Sequence, residues 1–198
     1  MPRTRSRKTP DEKPQRLLIG LGNPGTQYSE TRHNLGFRVI DELARRRGVA
    51  LDRVECNALV AVGDPMLVQP QTFMNRSGYA LRCLSERYEA RAEDCLVIYD
   101  DVSLPLGRLR FRPAGSPGGH RGMESVINNL RSEAVPRLRL GVGSADGVPA
   151  GEDLVEYVLE PFRADEMAEV ETLIGRAADA CGAWLEEEPQ QVMNRFNG

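Results

Sequence analysis

Histidine is scarce in this chain of 198 residues, which has only His33 and His120. The four cysteines, Cys56, Cys83, Cys95 and Cys181, are scattered, form no CxxC pair and have no histidine nearby. Metal-ligand spacing is therefore lacking, no metal site is expected, and four reduced packing thiols are the expectation for a cytoplasmic chain. No stretch approaches the roughly 18–20 continuous apolar residues of a membrane helix. The opening MPRTRSRKTPDEKPQR is basic but has no apolar run behind it, so no secretory signal is expected. There is no GxSxG elbow for a serine nucleophile. The loop GLGNPG (20–25) lacks the third glycine and the immediate helix of a GxGxxG fingerprint, and Pro24 removes a backbone donor. That disfavours a dinucleotide site, and no cofactor is expected.

What remains suits a soluble globular protein. Hydrophobic residues make up 40% and charged residues 28%, ordinary values for a chain long enough to bury a core. The net charge of −3 hides an asymmetry: residues 151–198 hold three basic and twelve acidic side chains, whereas residues 1–16 hold six and two. Between residues 108 and 139 stand seven arginines (108, 110, 112, 121, 131, 137 and 139) against Glu124 and Glu133. A local patch of that kind can bind phosphate on an acidic protein, although a solvated strand face would look the same.

Apolar periodicity organises the chain from residue 17 onward, and the first sixteen residues read as a disordered basic tail. Strands are expected at 17–22, 58–62, 66–70 and 95–99, the last running into Asp100 and Asp101. Helices are expected at 35–47, about 76–88, from Gly118-Gly119 to about 130, and about 165–187. Arg108, Arg110 and Arg112 alternate with Leu109 and Phe111, and RLRLGVG (137–143) repeats the alternation, as in half-buried strands with a cationic outer face. Asp101 is expected to point to solvent. The prediction is one α/β domain over 17–198: three layers, a twisted, mostly parallel but mixed sheet with helices on both faces. No surplus apolar helix face or heptad is evident, and a monomer is expected.

In such sheets, reactive groups gather at the carboxyl ends of strands. Three polar motifs fall there: the loop with Asn23, the stretch QPQTFMNRSG with Asn75, and Asp100. Each has a plain structural alternative. Asn23 would suit an Asn-Pro-Gly turn, Asn75 a helix cap, and either histidine a packing role. Asp100 at the tip of an apolar strand must find a donor, and an imidazole N–H is a good one. Together they make a kit for activating water: one histidine base, one orienting carboxylate and two amides.

The chain resembles the bacterial-type peptidyl-tRNA hydrolases. The resemblance is carried by GLGNPGTQYSETRHNLG (20–36), TFMNRSG (72–78), DDVSLPLG (100–107), GGHRG (118–122) and RLRLGVG (137–143), in family order over about residues 17–197. It implies an esterase that frees tRNA from a stalled peptide. His33 would be the base, Asp100 its orienting carboxylate, and Asn23 and Asn75 substrate-holding amides. Arg112 and Arg139 would clamp the tRNA 5′-phosphate, and Tyr28, Phe73, Met74 and His120 would line the cleft. Where the family usually has asparagine after GGH, this chain has Arg121, whose five donors and no acceptor cannot copy an amide. Its contact with substrate is therefore left open, as is the effect of Tyr99 and Ser103 in place of the common His and Asp. Two rivals come from other classes: an RNA-binding protein on the same scaffold, similar to plastid intron-splicing relatives, and a nucleotide-binding oxidoreductase.

Overall fold

The computed structural model describes residues 16–144 and 152–197, so the tail expected at 1–16 lies, but for Arg16, outside the described residues. Seven strands form one sheet: β1 (Leu17–Gly20), β2 (Arg53–Glu55), β3 (Ala58–Ala61), β4 (Met66–Pro70), β5 (Cys95–Pro105), β6 (Leu109–Arg112) and β7 (Arg137–Gly143). The helices are α1 (Leu35–Arg47), α2 (Ser77–Tyr88), α3 (Arg121–Leu130), α4 (Glu152–Leu159), α5 (Met167–Glu186) and α6 (Pro189–Phe196). Strand order is β2-β3-β4-β1-β5-β7-β6. The central four strands run parallel, and antiparallel strands flank them.

Fully buried parallel strands read as continuous apolar runs, and LLIG and CLVIY are such runs. Alternate residues feed two cores. Leu18, Leu96, Ile98, Leu138 and Leu140 pack under α1 and α5. Leu17, Ile19, Val97 and Tyr99 pack under α2 and α3. The sheet is thus the middle of three layers, as expected. α1 rests on β1 at a contact that admits no side chain: a Cβ on Gly20 would lie 2.1 Å from the Gly36 carbonyl oxygen. This seating draws the segment just before α1, with His33, onto the end of β5.

Three expectations need correction. Cys56 and Cys83 are joined in a disulfide, and only Cys95 and Cys181 are buried thiols. The β2–β3 turn brings Cys56 against α2, a tertiary approach that a spacing of 27 residues does not announce. Arg137 is not on a cationic outer face. It is buried, and its guanidinium donates to the carbonyls of Gly115, Ser116, Glu133 and Val135. Asp101 is not left to solvent either, because Arg139 of the neighbouring strand takes it as an ion-pair partner.

Candidate active site

β1 pairs with β5 only as far as Gly20 opposite Ile98, and the chain then turns away through Asn23. β5 runs on, so Asp100 stands beyond the end of β1, buried but approached from both faces of the sheet. From one face comes His33, in a 3-10 turn (Arg32–Asn34) ahead of α1. Its Nδ1 lies 2.9 and 3.0 Å from the two carboxylate oxygens of Asp100. From the other face comes His120, the N-cap of α3. Its Nδ1 accepts the Met123 amide at 3.1 Å, and its Nε2 lies 3.3 Å from Asp100 Oδ1.

These contacts fix the chemistry of both rings. Because Nδ1 of His120 is an acceptor, the proton sits on Nε2 and is given to Asp100. His33 gives its Nδ1 proton to the same carboxylate, which leaves Nε2 with its lone pair for another molecule. Burial works against an imidazolium at His33, but the charge of Asp100 and its hydrogen bond outweigh this, so His33 is more basic than an ordinary histidine. Burial would likewise favour a protonated Asp100, yet the two histidines hold it well below the usual carboxylate range. The three side chains are the one group among the described residues compact enough for a metal ion, with ligand atoms within 4.8 Å. An ion there would have to displace the His33–Asp100 hydrogen bonds.

The pair opens on a cavity of about 560 Å³, which is also lined by Asn23, Phe73, Met74, Asn75, Tyr99, His120, Arg121, Arg112, Arg137 and Arg139. Asn23 has a defined orientation. Its Oδ1 accepts the Met74 amide at 2.8 Å, and its backbone exchanges two hydrogen bonds with the side chain of Asn34. Its acceptor is thus committed, and Nδ2 is the group left to offer. Asn75 lies exposed in the 3-10 turn Met74–Arg76 and does not cap α2, whose N-cap is Arg76. Phe73 is exposed, whereas Met74 is buried. Arg112 and Arg139 reach the cavity from β6 and β7. Arg139 is ion-paired with Asp101 and donates to Ser103 Oγ at 3.1 Å. Arg112 loses proton affinity through burial and the neighbouring charges of Arg110 and Arg139. Of the expected site residues, only Tyr28 is not brought to the wall: it lies in a separate 3-10 turn (Thr26–Tyr28).

Other participants escaped the sequence reading. Leu154, Val155, Val158 and Leu159 of α4 form an apolar wall of the cavity, and their spacing on one helical face was a signal available in the sequence. Arg32 is buried beside His33. It donates to Glu166 Oε2 and to the Pro161 carbonyl, both at 3.0 Å, and ties α4 and the segment after it to the base. Tyr99 places its ring 4.5 Å from that of His120, between centroids.

A histidine–carboxylate pair at a strand end, beside amides and arginines, is an arrangement suited to a hydrolase on a mixed α/β sheet. The model of one family, "Peptidyl-tRNA hydrolase", matches residues 17–198, and the chain belongs to that family. It is 46% identical to a peptidyl-tRNA hydrolase of Synechococcus sp. (strain JA-3-3Ab), over 95% of this chain and 85% of the relative. It is 47% identical to that of Methylacidiphilum infernorum (isolate V4), over 91% and 97%. The crystal structure of peptidyl-tRNA hydrolase from Acinetobacter baumannii superposes with a TM-score of 0.85 at 29% identity, covering 93% of this chain and 95% of that one. No helix among the described residues is long and apolar enough to cross a membrane.

Proposed function

We propose that this chain hydrolyses the ester between a peptide and the terminal ribose of tRNA, recycling tRNA from stalled or aborted translation, as a cytoplasmic monomer without cofactor or metal. The observation that carries the reading is His33, oriented by Asp100 through Nδ1 at 2.9 Å with Nε2 left for water. Nε2 takes one proton from water while the water oxygen bonds to the acyl carbon and the carbonyl electron pair moves onto its oxygen. Collapse restores the carbonyl, breaks the bond to the 3′-oxygen, and returns the proton from His33 to that leaving oxygen. Asn23 through Nδ2, and Asn75, hold the peptide or the terminal ribose. Phe73, Met74 and His120 shape the cleft around them. Arg112 and Arg139 grip the 5′-phosphate of the acceptor stem, which gives the arginine alternation of β6 and β7 a use.

The test is release of peptide from an N-acylated aminoacyl-tRNA by the wild-type protein and by His33→Ala. Turnover that drops by about 10²–10⁴ in the variant, with tRNA binding retained, supports the reading. Binding without turnover in the wild type would sink it and leave an RNA-binding protein.

A further inference from the structure

The arginines around the cavity differ in what faces them. Arg139 is committed to Asp101 and Ser103, and Arg137 to four carbonyls. Arg121 has no carboxylate partner among the described residues, yet it stands on the cavity wall with Asn23, His33 and Asn75. It is the first residue of α3, where unpaired helix amides already concentrate positive charge and a cation is placed against the dipole. Its neighbour His120 has its ring 5.1 Å from that of His33, between centroids. A cation with no carboxylate partner among the described residues, at the positive end of a helix and beside a base, is disfavoured in the resting protein. It becomes favourable when negative charge develops next to it.

We infer that Arg121 donates to the acyl oxygen of the ester as water attacks, which makes it a catalytic residue rather than a lining one. The inference rests on the hydrolytic reading above. As the water oxygen bonds to the acyl carbon, the carbonyl pair becomes an oxyanion while the proton passes to His33. Arg121 faces the oxyanion, and Asp100 faces the imidazolium. In the resting cleft the same guanidinium opposes protonation of His33, which Asp100 favours. The charged and titratable groups around His33 are Asp100 from β5, His120 and Arg121 at the start of α3, and Arg32 of its own turn, which Glu166 holds. Farther along the cavity come Tyr99, Arg112, Arg137 and the Asp101–Arg139 pair. The α4 wall and the 73–75 turn add no charge.

The experiment compares wild type, Arg121→Gln and Arg121→Lys in steady-state release of N-acetylaminoacyl groups from tRNA, with an NMR titration of His33 in the free proteins. Arg121 is exposed, so neither change disturbs the core. Arg121→Gln is expected to lose about 10²–10³ in kcat, as for removal of one oxyanion donor, with KM little changed. Arg121→Lys recovers most of the rate. In Arg121→Gln, His33 takes up its proton at a higher pH than in wild type. A raised KM at unchanged kcat would assign Arg121 to ground-state binding and overturn the inference, as would equal kcat with equal titration. A wild type that releases nothing would bring down the hydrolytic reading and this inference with it. An active wild type confines any failure to Arg121.

Discussion

Arg32 lies over the ring of Tyr157, its guanidinium carbon 4.2 Å from the ring centroid. The same buried guanidinium holds the Pro161 carbonyl and Glu166, while the Arg32 amide donates to the Glu160 carbonyl at 3.1 Å. Because His33 is the next residue and α4 walls the cavity, one buried cation positions the base and the wall relative to each other.

Removing the Glu166 carboxylate leaves the buried cation with carbonyl partners, the Tyr157 and Phe162 rings, and the exposed carboxylate of Glu160 at 3.8 Å. Glu166→Ala is expected to cost about 3–5 kcal/mol, as for breaking one side of a buried ion pair. Urea unfolding would read this as a lower midpoint at an unchanged slope. An unchanged midpoint would mean that Glu160 and the carbonyls of 157–161 suffice.

Asp100 makes His33 a stronger base, and the acid limb of kcat/KM in the wild type is expected above the ordinary histidine value of 6.5. Asp100→Asn removes the charge that favours the imidazolium and leaves burial and Arg121 opposing it. The acid limb then moves to lower pH, and kcat falls by about 10²–10⁴ because the ring loses its orienting partner. A profile of kcat/KM against pH for both proteins decides this. An acid limb that stays in place would remove Asp100 from the site.

Phosphate contacts set the salt dependence of tRNA binding. Arg112→Gln and Arg139→Gln are each expected to weaken binding and to reduce the slope of log K against log salt by about one. Asp101→Asn acts in the opposite direction, since it strips Arg139 of its counter-charge and tightens binding at low salt. Filter binding over a salt series measures all three, and variants with wild-type slopes would take the arginines out of the interface.

Gly78 lets α2 lie directly on α3. A Cβ there would fall 2.0 Å from the Ser125 carbonyl oxygen, and the Gly78 amide donates to Ser125 Oγ at 3.1 Å. Gly78→Ala is expected to cost about 1–3 kcal/mol through overpacking, seen as a lower thermal midpoint. An equal midpoint would show that the helices separate freely.

Much of the architecture was legible because the signals were local. α1, β4 and β7 fall at the bounds their apolar patterns gave, and the three strand-end motifs converge as the parallel sheet required. The short elements carried weaker signals: β2 spans three residues, and α6 only eight. Charge partners were the other blind spot. Asp101 and Arg139 stand 38 residues apart, and only the β5–β7 register brings them together. Arg137 and Arg139 occupy equivalent places in the alternation, yet one is buried under carbonyls of the 113–119 loop and the other pairs with Asp101. Periodicity names the face of a strand but says nothing of what covers it.

β5 has eleven residues and its neighbour β1 four. The recess that holds Asp100 is therefore a difference between two strand lengths, fixed by hydrogen-bond register inside the sheet. Loops at the rim can lengthen or shorten without changing its depth. Two more paired residues on β1 would fill it. What such a protein can least tolerate is not a longer loop but a longer first strand.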